Sequence, residues 1–250
     1  MPDTVIEITH LNKSYGSGRQ ALADLNLKIA EGEVFGFLGH NGAGKTTTIH
    51  ILTTLLAPSS GAATICGHSV VREPNEVRRK IGYVPENVRL YDSITARANL
   101  QFFGRLSGVE NLDRRIEETL EFLDSRDLAD RLVGSFSKGL RQRIGLAQAI
   151  LHRPRVLFLD EPTSGLDPLG IRTVRDLIVR LNTEFGTTIF MNTHLISEIA
   201  KTCHTIGVLN QGRLVFNDTI GAVTERYGDD TALEELYLSV TPLSQKSEAA

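Results

Sequence analysis

Eight consecutive residues, Gly39-His40-Asn41-Gly42-Ala43-Gly44-Lys45-Thr46, fit the spacing G-x-x-x-x-G-K-[ST]. Glycines let a backbone fold around phosphate oxygens with no Cβ in the way, so that successive N–H groups point inward. A lysine at this spacing reaches the β- and γ-phosphates, and the hydroxyl of Thr46 suits a magnesium ion. A helix beginning there adds the positive end of its dipole. The competing reading is an ordinary glycine-rich turn. The placing of the octet, between an apolar run and an amphipathic stretch, argues against that.

A second feature carries complementary chemistry. Asp160-Glu161 ends the apolar run Val156-Leu157-Phe158-Leu159. In open parallel sheets, ligands sit beyond the carboxyl ends of the strands, which is where these two carboxylates fall. Asp160 suits a contact to Mg²⁺ through a coordinated water. Glu161 is placed to orient and deprotonate an attacking water. Such a pair alone is equally a solvated turn, and the phosphate loop is what gives it meaning.

The elements that must position these residues follow from hydrophobic period. Ile6 and Ile8 alternate with Glu7 and Thr9, and Leu25, Leu27 and Ile29 with Asn26 and Lys28. These read as two half-buried strands of a small antiparallel sheet, separated by turn residues over 12–18. Val34-Phe35-Gly36-Phe37-Leu38 is apolar without alternation, as is the run before Asp160 and Thr188-Ile189-Phe190-Met191. Strands of that kind are buried on both faces, which predicts a doubly wound α/β core. Ile49, Leu52 and Leu56 predict a helix over 46–56, ended by Pro58.

The stretch from Lys45 to Asp160 is far longer than one crossover needs. Its middle is helical in pattern, with Leu100, Phe103 and Leu106 on one face, and Leu112, Ile116, Leu120 and Leu123 on another. A helical subdomain inserted into the core, over about 88–152, is the economical reading. Ile206 to Leu209 and Leu214 to Phe216 flank Asn210-Gln211-Gly212, a hairpin signal. The main domain is placed at 1–228, with a short helix (Leu233, Leu236, Tyr237) and a polar tail over 229–250.

One more octet completes the pattern: Phe136-Ser137-Lys138-Gly139-Leu140-Arg141-Gln142-Arg143. Ser137 is a good N-cap for a helix carrying Ile144, Ala147 and Leu151. By itself that is a capped helix with no ligand. With the phosphate loop and the carboxylates, the chain resembles the nucleotide-binding domains of ATP-binding cassette (ABC) proteins across nearly its whole length. The octet is similar to their signature, usually Leu-Ser-Gly-Gly-Gln. Ser164-Gly165-Leu166-Asp167 resembles the loop that crosses the dimer interface, His194 the switch histidine at the γ-phosphate, and Tyr15 the aromatic that stacks on adenine.

The resemblance implies a P-loop NTPase (RecA-like) parallel-sheet core with an N-terminal antiparallel β subdomain and an inserted helical subdomain. It implies an ATPase with Mg²⁺, whose catalytic residues are Glu161 and His194. The nucleotide is held by Tyr15, by Gly39, His40, Asn41, Gly42, Ala43, Gly44, Lys45, Thr46 and Thr47, and by Ser137 and Gly139 of the opposite subunit. The metal falls to Thr46, Asp160 and Glu86. The implied partners are a second nucleotide-binding domain, the same chain or a sister, and a separate integral-membrane permease. Two departures stand out. Glu86 replaces the usual Gln, and Lys138 and Leu140 replace Gly and Gln of the signature. Both variants resemble ATPase subunits of ABC-2-type export systems.

Composition fits this picture and trims the rivals. The 250 residues are 41% hydrophobic and 23% charged, with net charge −3, ordinary for a globular protein and without general attraction to nucleic acid. ABC ATPases that serve nucleic acid or ribosomes carry long coiled-coil or zinc insertions or tandem cassettes, and this chain has one cassette and neither insertion. A nucleotide-locked dimerisation module would not need Lys45, Asp160, Glu161 and His194 together, and a plain P-loop kinase would not need the signature helix. No run approaches the ~20 apolar residues of a membrane span. The N-terminus lacks a signal-peptide pattern. The expectation is a cytosolic protein held at the inner face of the membrane through its permease. Cys66 and Cys203 are expected as buried free thiols, and His40, His50, His68, His152 and His204 show no metal-ligand spacing.

Overall fold

The computed structural model describes residues 3–16, 18–227 and 232–240. In chain order the strands and helices are β1 (Thr4–Ser14), β2 (Gln20–Ala30), β3 (Val34–Leu38), α1 (Lys45–Leu52), β4 (Ser60–Ile65), β5 (His68–Ser69), α2 (Pro74–Lys80), β6 (Ile81–Val84), α3 (Ala96–Leu106), α4 (Leu112–Phe122), α5 (Lys138–Ile150), β7 (Val156–Asp160), α6 (Pro168–Phe185), β8 (Thr188–Thr193), α7 (Ile196–Thr202), β9 (Thr205–Asn210), β10 (Arg213–Thr219), α8 (Ile220–Tyr227) and α9 (Ala232–Val240). Of the short helix and polar tail expected over 229–250, the helix is α9 and the remainder lies outside the described residues.

The runs without alternation become the centre of a six-stranded sheet in the order β10-β9-β3-β8-β7-β6. All its ladders are parallel except that of the β9–β10 hairpin. Period two still operates inside these strands, because both faces are covered. Val34, Leu38, Leu157, Leu159, Ile189 and Met191 join one core with the helical block and α6, α7 and α9. Phe35, Phe37, Phe158 and Phe190 point into the other, where Phe190 packs 5.3 Å from Phe35 and Phe37 and 5.6 Å from Phe158. That second core is closed by the antiparallel sheet β2-β1-β4-β5, whose alternating Ile6, Ile8, Leu25, Leu27 and Ile29 face inward. The aromatic centre therefore lies between two sheets, and the phosphate loop leaves β3 directly from it.

Helices α3, α4 and α5 lie between β6 and β7 in sequence. Leu100, Ile116, Leu120, Leu123 and Ile144 bury their side chains in the first core. The expected face of α3 is only partly apolar-buried: Leu100 is buried, but Leu106 is 77% exposed. Helix α1 also ends earlier than its period implied, at Leu52. Thr54 adopts φ 63°, and the amides of Leu55 and Leu56 both turn back to the carbonyl of His50, at 2.8 and 3.0 Å. The left-handed residue stops the helix, well before Pro58 could. Cys203 is buried as expected, whereas Cys66 is only partly so.

Candidate nucleotide site

The phosphate loop runs from the C-terminal end of β3 to the start of α1. Gly44 caps α1 at φ 112°, a conformation L side chains rarely adopt, and a Cβ there would stand 2.5 Å from the carbonyl of Ala21. Gly39 is required for a different reason: its Cβ would come 2.5 Å from the carbonyl of Leu209. The first bond of the helix is donated by Thr48 N to Gly44 O, at 2.9 Å. The amides of Lys45, Thr46 and Thr47 are thus free of the helical ladder, as at any helix start, and are presented with the positive dipole end.

Lys45 is buried, and its ammonium donates to the carbonyls of Gly39 (2.6 Å) and His40 (3.3 Å). Burial lowers its pKa, while the Glu161 and Asp160 charges work the other way. Its ammonium lies 3.9 Å from Glu161 Oε1. The other oxygen of Glu161, Oε2, is 2.8 Å from His194 Nδ1. Glu161 is held there from its backbone, with φ 48° and its amide donating to Asn192 O at 2.9 Å.

Asp160, at the end of β7, accepts from Asn192 Nδ2 at 2.5 Å and, more weakly, from Thr46 Oγ1 at 3.4 Å. Burial, then the charges of Glu161 and Glu86, push its carboxyl up to about 6. A carboxyl in that state is short of positive charge. Thr46 and Asp160 offer hard oxygen donors of the kind Mg²⁺ takes, and among the described residues no three His, Cys, Asp or Glu converge to hold a metal unaided. Mg²⁺ is ordinarily bound by one or two carboxylates with phosphate oxygens and waters, so the donor set fits it only together with a phosphate ligand.

A cavity of about 270 Å³ is lined by Tyr15, His40, Asn41, Gly42, Gly44, Lys45, Thr46, Thr47, Glu86 and Glu161 among others; Gly39, Ala43, Asp160 and His194 do not line it, the last two standing behind Thr46 and Glu161. The Tyr15 ring is 42% exposed, and its hydroxyl is 3.3 Å from Thr47 Oγ1. Ala43 is fully buried under the loop and His40 turns its ring to Asn41 O and Asn210. Ser137 caps α5 as expected, accepting from Leu140 N at 3.4 Å. Neither Ser137 nor Gly139 lines the cavity. Residues the sequence reading passed over are Arg19 and Ala21, which line it, and Asn192, which fixes Asp160. An Asn inside an otherwise buried strand was the available signal for the last.

The sequence profile of ABC transporters matches residues 22–164, more than half of the chain. The chain belongs to the ABC transporter family. Among its relatives, the bacitracin transport ATP-binding protein BcrA of Bacillus licheniformis is 42% identical over 212 residues, covering 85% of this chain and 69% of that protein. A daunorubicin resistance ATP-binding protein, DrrA3 of Streptomyces coeruleorubidus, is 40% identical over 232 residues, covering 92% of this chain and 73% of that one. Among solved structures, a dimeric post-hydrolysis state of an ATP-binding cassette bound to ADP and Pi superposes with a TM-score of 0.77 at 27% identity, covering 86% of this chain and 98% of that one. This ABC protein is an ATP-binding and ATP-hydrolysing subunit of a transporter, built on the P-loop NTPase fold. Among its described residues no helix is long and apolar enough to cross a membrane.

Proposed function

We propose that the chain works as one of a pair of nucleotide-binding subunits that hydrolyse ATP between them and drive a separate membrane permease in the direction of export. The observation that carries this reading is the division of the site. Lys45, Thr46 and Glu161 line the cavity at the carboxyl ends of β3 and β7, with Asp160 and His194 bonded to Thr46 and Glu161, while Ser137 and Gly139 have no such link to it and lie at the exposed start of α5.

In this mechanism the loop amides and Lys45 grip the β- and γ-phosphates, and Tyr15 stacks on the base. Ser137 and Gly139 of the partner subunit close over the γ-phosphate with the N-terminus of their helix. Thr46, Asp160 and Glu86 would hold Mg²⁺, which would supply positive charge to neutralise the phosphate oxygens. Glu161 takes the proton of the attacking water and His194 holds that carboxylate in line. Lys45 presently donates to two loop carbonyls, so phosphate oxygens take over a donor that is already aimed inward.

Docking of the permease falls to the helical block and the Glu86 loop. Tyr91, Phe102 and Leu106 are 51%, 47% and 77% exposed there; Tyr91 stacks on Phe103, and Phe102 packs edge-on against both, with ring centroids 5.2–6.0 Å apart. Adjacent exposed aromatics of this kind favour a protein partner. Export is supported by the relatives named for bacitracin transport and daunorubicin resistance. The chain then sits at the cytoplasmic face of the membrane through its permease.

The test is Glu161→Gln. It should keep ATP binding and lose turnover on the order of 10²–10⁴-fold, the usual weight of a general base. Turnover near the wild-type rate removes Glu161 from that role.

A further inference from the structure

Among the described residues, Lys45 and Arg19 line the phosphate cavity with fixed positive charge, and they are placed very differently. Lys45 is buried and donates to the carbonyls of Gly39 and His40. Arg19 is exposed, immediately before β2. Its backbone is fixed, because Tyr15 N donates to Arg19 O at 3.0 Å and Ser14 of β1 pairs with Gln20 of β2. One guanidinium nitrogen, Nη2, lies 3.3 Å from where a Cβ on Gly42 would stand. The fork therefore lies over the middle of the phosphate loop. Arg97, Arg141 and Arg155 each hold a carboxylate. Among the described residues the Arg19 guanidinium holds none and donates to no other group.

The charges of the cavity give this free cation a task. Its lining also carries two carboxylates, Glu86 and Glu161, with Asp160 behind Thr46. Lys45 alone would leave the lining net negative where an anionic phosphate chain must enter. We propose that Arg19 is a nucleotide-binding residue whose guanidinium grips the phosphates that stay on the nucleotide when ATP is hydrolysed. Loop amides of this motif cradle the α- and β-phosphates, and Gly42, under the Arg19 fork, belongs to that cradle. A planar fork of N–H donors matches a pair of phosphate oxygens. The inference rests on the nucleotide site described above, but not on its hydrolytic chemistry. A contact to phosphates that do not transfer is made equally in the ground and transition states. It lowers KM and leaves kcat unchanged, which separates Arg19 from Glu161 and His194.

The experiment is calorimetric titration of the full chain with ADP and Mg²⁺, beside steady-state ATPase kinetics, for wild type and Arg19→Met. The substitution should weaken ADP binding about five- to twentyfold, the weight of a partly exposed charge-assisted contact. KM for ATP should rise by a similar factor, with kcat within about twofold of wild type. The difference in ADP affinity should shrink in high salt. Arg19 is exposed, so the denaturant midpoint should not move. ADP binding within about twofold of wild type overturns the assignment, as does a loss confined to kcat. A binding loss that comes with a lowered unfolding midpoint also overturns it, since Arg19 would then serve the fold. The hydrolytic reading fails by a different result, an inactive wild type or an active Glu161→Gln, and neither bears on ADP.

Discussion

His194 Nδ1 lies 2.8 Å from Glu161 Oε2, while the opposite oxygen of that carboxylate lies 3.9 Å from the Lys45 ammonium. The Glu161 carboxylate, the proposed general base, is therefore held between the side chain that follows β8 and one from the phosphate loop. His194→Ala removes the first hold without touching the phosphate cradle. It should lower kcat on the order of 10²-fold or more while changing KM for ATP little, the pattern of an interaction made in the transition state. Steady-state ATPase kinetics read both, and a loss confined to KM would place His194 in substrate binding alone.

Asp160 offers a test with an unusual sign. Its carboxyl is raised from the ordinary 3.8 to about 6, by burial first. The folded chain therefore binds that proton more tightly than the unfolded chain, and stability falls as pH rises from about 4 through about 6. In protein free of metal and nucleotide, Asp160→Asn should raise stability at neutral pH by about 2 kcal/mol, with the gain vanishing near the lower end of that window. It should also abolish Mg²⁺-dependent hydrolysis. Thermal unfolding across pH in a chelator gives the comparison. A stability loss at neutral pH would show that the Asn192 and Thr46 contacts outweigh the buried charge.

Two glycines of similar appearance should behave oppositely. Gly44→Ala forces a Cβ to within 2.5 Å of Ala21 O at φ 112°, whereas a Cβ on Gly16 meets nothing within 4 Å. The first should cost about 2 kcal/mol or more and with it ATP binding, while Gly16→Ala should leave both near wild type. Denaturant unfolding and nucleotide titration of the two variants check this directly.

Both thiols are raised by burial, Cys203 far more than Cys66. The thiolate is the reactive form, so native protein near pH 8 should resist iodoacetamide at Cys203 and react slowly at Cys66. Mass spectrometry should find both alkylated after unfolding. Rapid labelling of Cys203 in the native state would contradict its place beside Gly36, where a Cβ would come 2.8 Å from its Sγ.

How much of this was legible in the sequence depends on where each signal lies. The phosphate loop, Asp160-Glu161 and the Ser137 cap are contiguous, and their geometry is set locally by glycine conformation, strand ends and capping. Strands β4, β5 and β6 were not read. They are short, and β4 and β6 carry Gly61 and Gly82, so period two had little length in which to appear. Helix α1 was read too long because Thr54 gives no composition cue to its left-handed backbone. The Glu86 and Lys138 departures were visible as residue types, but not the cavity they share, which forms only when α5 packs on the loop after β6. The placing of Ser137 away from its own chain's cavity lies in tertiary structure alone.

The central claim is that ATP is gripped between two chains, the loop of one and the Ser137 helix of the other. Sedimentation of Glu161→Gln with ATP and Mg²⁺ tests it most directly. The mass should double with ATP, stay at one chain with ADP, and stay at one chain with ATP when Ser137→Arg is added. A single-chain mass with ATP fully bound would contradict the account.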